Sequence, residues 1–126
     1  MLVLDSGGVT RLAQRDRETA ALIMSLRNQG LWPPVVPTVV LVESLSGSGP
    51  RDANTNRLVK VCDVKPLVPE RVARRAAALR SRARMGSAVD AIVVATAEPG
   101  GTVLTSDIDD LSALAAGADG VVVEVI

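Results

Sequence analysis

The sequence predicts an α/β fold in which a mainly parallel β-sheet is covered by helices. Apolar residues make up 48% of the 126 positions, and Trp32 is the only aromatic residue. The core must therefore be built from Val, Ala, Leu and Ile, which suits a parallel sheet buried on both faces. Short apolar runs also alternate along the chain with segments of helical length, as they do in βαβ units.

The first half of the chain supplies two predicted strands and two predicted helices. The run MLVLD, closed by Asp5 and a Gly-Gly pair, is the first strand, and the helix RETAALIMSLRNQG ends at Gly30. A brief strand follows in PPVVPT. Thr38 is then expected to cap the helix VVLVESLSG, and the segment SGSGPRD after it is expected to be flexible.

The second half continues the alternation. We expect a helix around TNRLVKVCD, a strand VKPLV, and a long helix that begins after Pro69 and ends before Gly86. The remaining predicted elements are the helix SAVDAIVVATAE, the strand TVLTS, the helix DDLSALAAG and the strand GVVVEVI. There is no internal repeat and no linker composition, so residues 1–126 are predicted to form a single domain.

The composition excludes several classes of chemistry. The chain has no histidine, which removes Ser-His-Asp and Cys-His catalysis and disfavours zinc sites built on His and Cys. Cys62 is the only cysteine and cannot form an intramolecular disulfide, which fits a reducing compartment. No apolar run approaches the ~20 residues of a membrane span, and the start lacks a signal-peptide pattern. A cytoplasmic protein without a membrane anchor is expected.

Four acidic residues stand at unusual places. Asp5 and Asp107 follow predicted strands, and ligands of open α/β sheets bind beyond the carboxyl ends of the strands. Glu43 and Asp90 interrupt apolar helical runs, where a buried carboxylate is costly unless it is paired or bound to a metal ion. If the four converge on one pocket, a divalent cation such as Mg²⁺ or Mn²⁺ would offset both repulsion and burial.

Each acid also has a structural interpretation. Asp107, Asp109 and Asp110 could cap a helix N-terminus, which we favour for Asp109. Asp110 lies three residues after Asp107, so the two should share a face from which Asp109 points away. Asp5 could close a turn ahead of Gly7, and Glu43 and Asp90 could pair with arginines.

The four motifs VLDS, PTVVLVESL, DAIVVATA and GGTVLTSDIDDL resemble, in this order and over the whole chain, the PIN domain. Length and compactness are most similar to the VapC ribonuclease toxins of bacterial toxin–antitoxin pairs. The resemblance implies a PIN-domain-like parallel sheet sandwiched between helices. It also implies a catalytic and metal-binding quartet of Asp5, Glu43, Asp90 and Asp107 around Mg²⁺ or Mn²⁺, with Asp110 as a secondary acid.

One position departs from the resemblance. Gly7 stands where many members have Ser, Thr or Asn, so a hydroxyl contact at this place would have to come from Ser6, Thr105 or Ser106. Asp5, Asp90 and Asp107 are expected to hold the metal, and Glu43 to bind it or to position water. Without histidine, water activated by the metal is the expected nucleophile for hydrolysis of an RNA phosphodiester. The resemblance to similar nucleases implies products with 3′-hydroxyl and 5′-phosphate ends.

The expected partners follow from charge and from the resemblance. The net charge is zero, but arginines crowd the helix after Pro69, with Lys60 and Lys65 preceding it, and such a face could bind RNA phosphates or simply be solvated. The lack of aromatic residues argues against base stacking, so a tRNA or structured loop read by shape is expected. The resemblance implies a cognate VapB-like antitoxin. A homodimer is also expected, because the predicted helical segments VVLVESL and AAALRSRA offer more apolar surface than one small sheet can cover.

Other functions remain open at this point. A phosphorylated receiver domain is disfavoured, because it would need a lysine at the end of a late strand and the last lysine here is Lys65. A non-catalytic PIN-like module that binds a partner, or a solitary RNA-processing nuclease without an antitoxin, is compatible with the same sequence.

Overall fold

A computed structural model describes residues 1–126 and contains five strands, β1 (Leu2–Leu4), β2 (Val35–Pro37), β3 (Asp63–Lys65), β4 (Thr102–Thr105) and β5 (Val122–Val125). They form one sheet in the order β3-β2-β1-β4-β5, and all neighbouring strands are parallel. The predicted α/β class with a parallel sheet is confirmed.

Seven helices flank the sheet, namely α1 (Ser6–Leu12), α2 (Arg17–Asn28), α3 (Thr38–Ser44), α4 (Gly49–Val59), α5 (Glu70–Ala83), α6 (Ala88–Ala97) and α7 (Asp109–Ala115). The helix α6 packs across β1, β2 and β4, with α5 and α7 against it. A second group forms around α1, which contacts β1, β4 and the helices α2, α3 and α4. None of the seven combines the length and apolar character needed to cross a lipid bilayer.

The centre of the sheet is the centre of the core. All three residues of β1 and the pair Val103–Leu104 of β4 are buried, because helices cover both faces of these strands. The chain runs outward from β1 to β2 and β3, and then returns to the other side of β1 to form β4 and β5. This reversal between β1 and β4 opens a crevice at their carboxyl ends, which is where ligands of such sheets bind.

The helix α1 was not predicted from the sequence. Glycine is a poor helix former, and the Gly-Gly pair after Asp5 was interpreted only as the end of the first strand. In the structure the Asp5 side chain caps this helix by accepting a hydrogen bond from the backbone N–H of Gly8 at 2.7 Å. A cap and tertiary packing together outweigh the low helix propensity of the two glycines.

Two predictions around α3 were wrong. Thr38 does not cap this helix, because α3 begins at Thr38 itself and its hydroxyl lies 3.0 Å from the carbonyl oxygen of Lys65. The segment expected to be flexible contains the start of α4, at Gly49. The Asp52 carboxylate organises the preceding turn by accepting hydrogen bonds from Ser46 and Gly47.

The boundaries of two elements also differ from the prediction. The helix α4 begins at Gly49 and ends at Val59, before Cys62, whereas the prediction extended to Asp63. The strand β3 ends at Lys65 because the next residue is Pro66, which has no N–H to contribute to the sheet.

Candidate functional site

A cavity of about 250 Å³ lies at the carboxyl ends of β1 and β4. Five acidic residues line it, namely Asp5, Glu43, Asp90, Asp107 and Asp110, and the remaining lining residues are Ser6, Gly7, Thr105, Ser106 and Leu111. Asp109 does not line the cavity. The acids that lie far apart in sequence are therefore brought together around one space.

No basic side chain lines this cavity. The four ion pairs of the structure join Arg11 to Glu18, Lys65 to Asp63, Arg74 to Glu70 and Arg75 to Glu98. The interpretation in which Glu43 and Asp90 pair with arginines is therefore wrong. The five carboxylates line one cavity that contains no fixed positive charge, so their mutual repulsion is not offset by a protein side chain.

Asp5 is the one buried acid of the cavity, with 8% of its surface exposed. One carboxylate oxygen accepts from the Gly8 N–H at 2.7 Å, and the other lies 2.6 Å from the Thr105 hydroxyl oxygen. Burial raises the pKa of the Asp5 carboxyl above its ordinary value, and the charge of Asp90 adds to this, against the opposing effect of the two hydrogen bonds. A cation at this place would favour the charged form.

Thr105 connects the two strand ends. Its hydroxyl oxygen lies 2.6 Å from Asp5 Oδ2 and 2.9 Å from the Asp107 carbonyl oxygen, and it accepts from the Asp107 N–H at 3.0 Å. The sequence offered this threonine only as one of three hydroxyl sources near Gly7. The sequence could have singled out Thr105 by its position at the end of an apolar strand, two residues before Asp107.

The other carboxylates are more accessible than the sequence suggested. Glu43 and Asp107 are exposed, as is Asp110, and Asp90 is half-buried. The argument that Glu43 and Asp90 sit on buried helix faces at a high desolvation cost is therefore wrong for Glu43 and overstated for Asp90. What unites these acids is the shared cavity rather than burial.

Two of these accessible acids, Asp90 and Asp107, lie at or just before the start of a helix. Asp90 lies in the first turn of α6, where its N–H donates to the capping hydroxyl of Ser87 at 3.0 Å. Asp107 accepts a long hydrogen bond of 3.3 Å from the N–H of Asp109, the first residue of α7. Carboxylates are stabilised at helix N-termini by the helix dipole, so these positions are compatible with local structure as well as with ligand binding.

Glycines 7 and 8 allow α1 to approach the end of β4. A Cβ atom on Gly8 would collide with the carbonyl oxygen of Leu104, and one on Gly7 would collide with the hydroxyl of Ser106. Neither glycine has a positive φ, so close approach rather than backbone conformation requires them. This packing brings the start of α1, and with it Asp5, to Thr105.

The residue types fit a hard divalent cation, because every candidate ligand is an oxygen atom. The present side-chain positions are not a finished ligand set, since no three acidic or cysteine side chains are placed to hold one ion together. Three of the five carboxylates, those of Glu43, Asp107 and Asp110, are exposed to solvent. Asp5, Glu43, Asp90, Asp107 and Asp110 are therefore a fitting donor set that would have to close around its ion.

Comparison with known proteins gives likenesses of fold. No protein-family model and no curated protein sequence matches this chain. A chain of a toxin–antitoxin complex from Klebsiella pneumoniae superimposes with a TM-score of 0.68 at 21% identity, covering 97% of this chain and 96% of that chain.

Two further solved structures are similar. FitAcB from Neisseria gonorrhoeae has a TM-score of 0.63 at 21% identity, covering 98% of this chain and 96% of that chain. PAE2754 from Pyrobaculum aerophilum has a TM-score of 0.64 at 13% identity, covering 97% of this chain and 89% of that chain. At such low identities the likeness concerns the fold, and the chain adopts the predicted PIN-like α/β fold.

Proposed function

We propose that this protein is a divalent-cation-dependent endoribonuclease and the toxin of a toxin–antitoxin pair, of the VapC kind. One observation carries the proposal. Five carboxylates from separate parts of the chain surround a single cavity at the carboxyl ends of β1 and β4, and no basic side chain neutralises them. A ligand with at least two positive charges is the simplest counterpart of such a cavity.

The residues of the cavity would have separate roles in metal binding and in the activation of water. Asp5, Asp90 and Asp107 would hold Mg²⁺ or Mn²⁺, and Asp110 would contribute from the rim of the cavity. When bound, such an ion polarises a phosphodiester and lowers the pKa of water. Glu43 is exposed on the cavity wall and would orient water or accept its proton. Thr105 and Gly8 would keep Asp5 in one orientation through their hydrogen bonds.

RNA would be bound through its backbone. Several arginines of α5 are engaged within the protein, because Arg74 pairs with Glu70, Arg75 with Glu98, and Arg80 donates to the carbonyl oxygen of Gly86. The phosphate contacts would therefore fall to the exposed Arg71 and Arg82 and to Arg84 beyond the helix. With no aromatic side chain other than Trp32, recognition of the shape of a tRNA or structured loop fits better than base stacking.

A cognate antitoxin of the VapB kind is the proposed protein partner. The fold shared with a chain of a toxin–antitoxin complex supports this, and an antitoxin guanidinium could neutralise the acidic cavity as a cation would. A homodimer is also proposed. Val42 on α3 is 82% exposed and Leu67 is 78% exposed, which leaves apolar surface for a second copy to cover.

The decisive experiment is RNA cleavage by the purified protein with added Mg²⁺ or Mn²⁺. We expect cleavage that excess EDTA abolishes. An Asp90→Asn variant should keep its fold and lose activity by roughly 10²-fold or more. Glu124→Gln is the matched control, because Glu124 is exposed on β5 and lies outside the cavity. Cleavage that persists in the chelator, or an Asp90→Asn protein as active as the control, would refute the mechanism.

One observation favours an alternative, a non-catalytic module that binds a partner. The carboxylates are not assembled into a ligand set in the structure. In that case the wild-type protein would bind no Mn²⁺ and cleave no RNA, yet would still capture its partner. A solitary processing nuclease would instead cleave RNA without co-purifying with any small antitoxin.

A further inference from the structure

Two neighbouring hydroxyls at the end of β4 have different surroundings. Thr105 is fully buried, and its hydroxyl makes every side-chain hydrogen bond of this strand end, to Asp5 and to the backbone of Asp107. The hydroxyl of Ser106 takes part in none of them. Ser106 is exposed and lines the cavity together with the five carboxylates. It is a hydroxyl at the cavity wall that the fold does not use.

The position of this hydroxyl depends on Gly7. A Cβ atom built on Gly7 would overlap Ser106 Oγ, and it would lie 3.0 Å from the Ser106 backbone nitrogen and 3.3 Å from Ser106 Cβ. The Ser106 side chain thus fills the space that a side chain at position 7 would occupy. Gly7 lies in the first turn of α1 without a positive φ, so the backbone itself would accept alanine there.

A neutral oxygen has a clear advantage at this place. The cavity already holds five carboxylates, and a further negative charge would add to their repulsion. A hard divalent cation needs about six oxygen ligands, so neutral oxygens usefully complete a set of carboxylates. A serine or threonine hydroxyl is an accepted ligand of Mg²⁺ in phosphate-processing sites.

We propose that Ser106 supplies a neutral hydroxyl to the divalent cation bound by the acidic cavity, and that Gly7 is glycine in order to leave that hydroxyl its place. The proposal rests on the proposed function, because it assigns a residue to the same cation. It distinguishes Ser106 from Thr105, whose hydroxyl positions Asp5 and Asp107.

The test is a double-mutant cycle read out by Mn²⁺ affinity. The dissociation constant would be measured by calorimetry on chelator-stripped protein, without RNA, for wild type, Ser106→Ala, Gly7→Ala and the double variant. We expect each single change to weaken Mn²⁺ binding by roughly tenfold, as losses of metal-site support commonly do. Gly7→Ala acts by displacing the hydroxyl, so the double variant should lose no more than either single variant.

Two controls separate this effect from a folding defect. Ser81→Ala removes an exposed hydroxyl on α5 that lies outside the cavity, and it should bind Mn²⁺ as wild type does. The melting temperature of Ser106→Ala without metal should stay close to that of wild type. For Gly7→Ala a modest decrease is expected, because the new Cβ would lie 3.0 Å from the Ser106 backbone nitrogen, and the higher helix propensity of alanine partly offsets it, so Mn²⁺ affinity is measured well below the melting temperature.

Each other outcome contradicts the proposal in its own way. A wild type that binds no Mn²⁺ would overturn the proposed function together with this inference. Mn²⁺ binding that is normal in wild type and equally tight in Ser106→Ala would overturn this inference alone. Losses at Gly7 and Ser106 that multiply to roughly a hundredfold would show two independent defects and would refute the shared hydroxyl.

Discussion

Asp5 and Asp52 are the two buried aspartates of the chain, with 8% and 7% of their surfaces exposed. Asp52 accepts three hydrogen bonds, from the Ser46 N–H, the Ser46 hydroxyl and the Gly47 N–H, all at 2.9 Å. Asp5 has two donors, the Gly8 N–H and the Thr105 hydroxyl, and it shares its cavity with four other acids. The two carboxylates are thus exposed to nearly the same extent but lie in opposite electrostatic surroundings.

The pKa of each carboxyl reports the difference. Hydrogen bonds from Ser46, against a smaller opposing effect of burial, lower the pKa of Asp52 below its ordinary value of 3.8. Burial, with a contribution from Asp90, raises the pKa of Asp5 above the same value. A carboxylate that the protein satisfies with its own donors stabilises the fold, whereas one left beside like charges is available to a ligand.

The largest expected effect is on activity, within the cavity itself. Asp107→Ala should reduce RNA cleavage by roughly 10²-fold or more, because it removes a proposed metal ligand. Asp110→Ala should reduce cleavage less, and Asp109→Ala should leave it nearly intact, since Asp109 lies outside the cavity. Initial rates with saturating Mn²⁺ measure all three. Equal losses at the three positions would mean that these acids only shape the start of α7.

A smaller effect is expected on the melting temperature in excess chelator at neutral pH. Asp52→Asn should lower the melting temperature by several degrees, because an uncharged acceptor holds the Ser46–Gly47 turn more weakly. Asp5→Asn should leave it unchanged or raise it, since a desolvated charge near Asp90 is removed. Saturating Mn²⁺ should stabilise wild type but not Asp5→Asn. If both substitutions lowered the metal-free melting temperature by similar amounts, Asp5 would stabilise the fold as Asp52 does, and the predicted difference between them would be wrong.

The pH dependence of the same two variants sharpens the contrast in sign. The lowered pKa of Asp52 means that its stabilisation is present above pH 3.8 and disappears as the pH falls through the lower folded-state value. The raised pKa of Asp5 means that its charged form lowers the free energy of unfolding as the pH rises through the higher folded-state value. Urea unfolding from acid to neutral pH gives the difference in the free energy of unfolding between wild type and each variant. The difference for Asp52→Asn and the difference for Asp5→Asn should change with pH in opposite directions. Slopes of the same sign would contradict these assignments.

The smallest effect concerns the arginines of α5. Arg75 donates to both carboxylate oxygens of Glu98, at 2.7 and 2.8 Å, and to the carbonyl oxygen of Gly117 at 3.1 Å. Arg75→Ala should therefore lower the melting temperature slightly. Arg71→Ala should not change it, but should reduce the salt dependence of RNA binding by a slope of about 1. If Arg75→Ala instead reduced the salt dependence of RNA binding and Arg71→Ala lowered the melting temperature, Arg75 would be the RNA contact and Arg71 the residue that stabilises the fold.

The sequence alone was enough to predict the fold class and the edge of the sheet at which the acids gather. Strands such as MLVL and TVLT are apolar because both faces of a parallel sheet are covered, and this pattern is local. Acids directly after two such strands necessarily lie at the same edge of a parallel sheet. The chemistry assigned to them stays a prediction until cleavage and metal binding are measured.

Only the tertiary structure decided how the site is organised. The sequence did not predict α1, since two glycines argue against a helix until the end of β4 is seen to occupy the space of their missing side chains. It overestimated the burial of Glu43 and left the hydroxyl source open. The bond between Thr105 and Asp5 joins residues 100 positions apart. Composition and periodicity describe neighbours along the chain, whereas such a contact exists only once the sheet has brought β1 and β4 side by side.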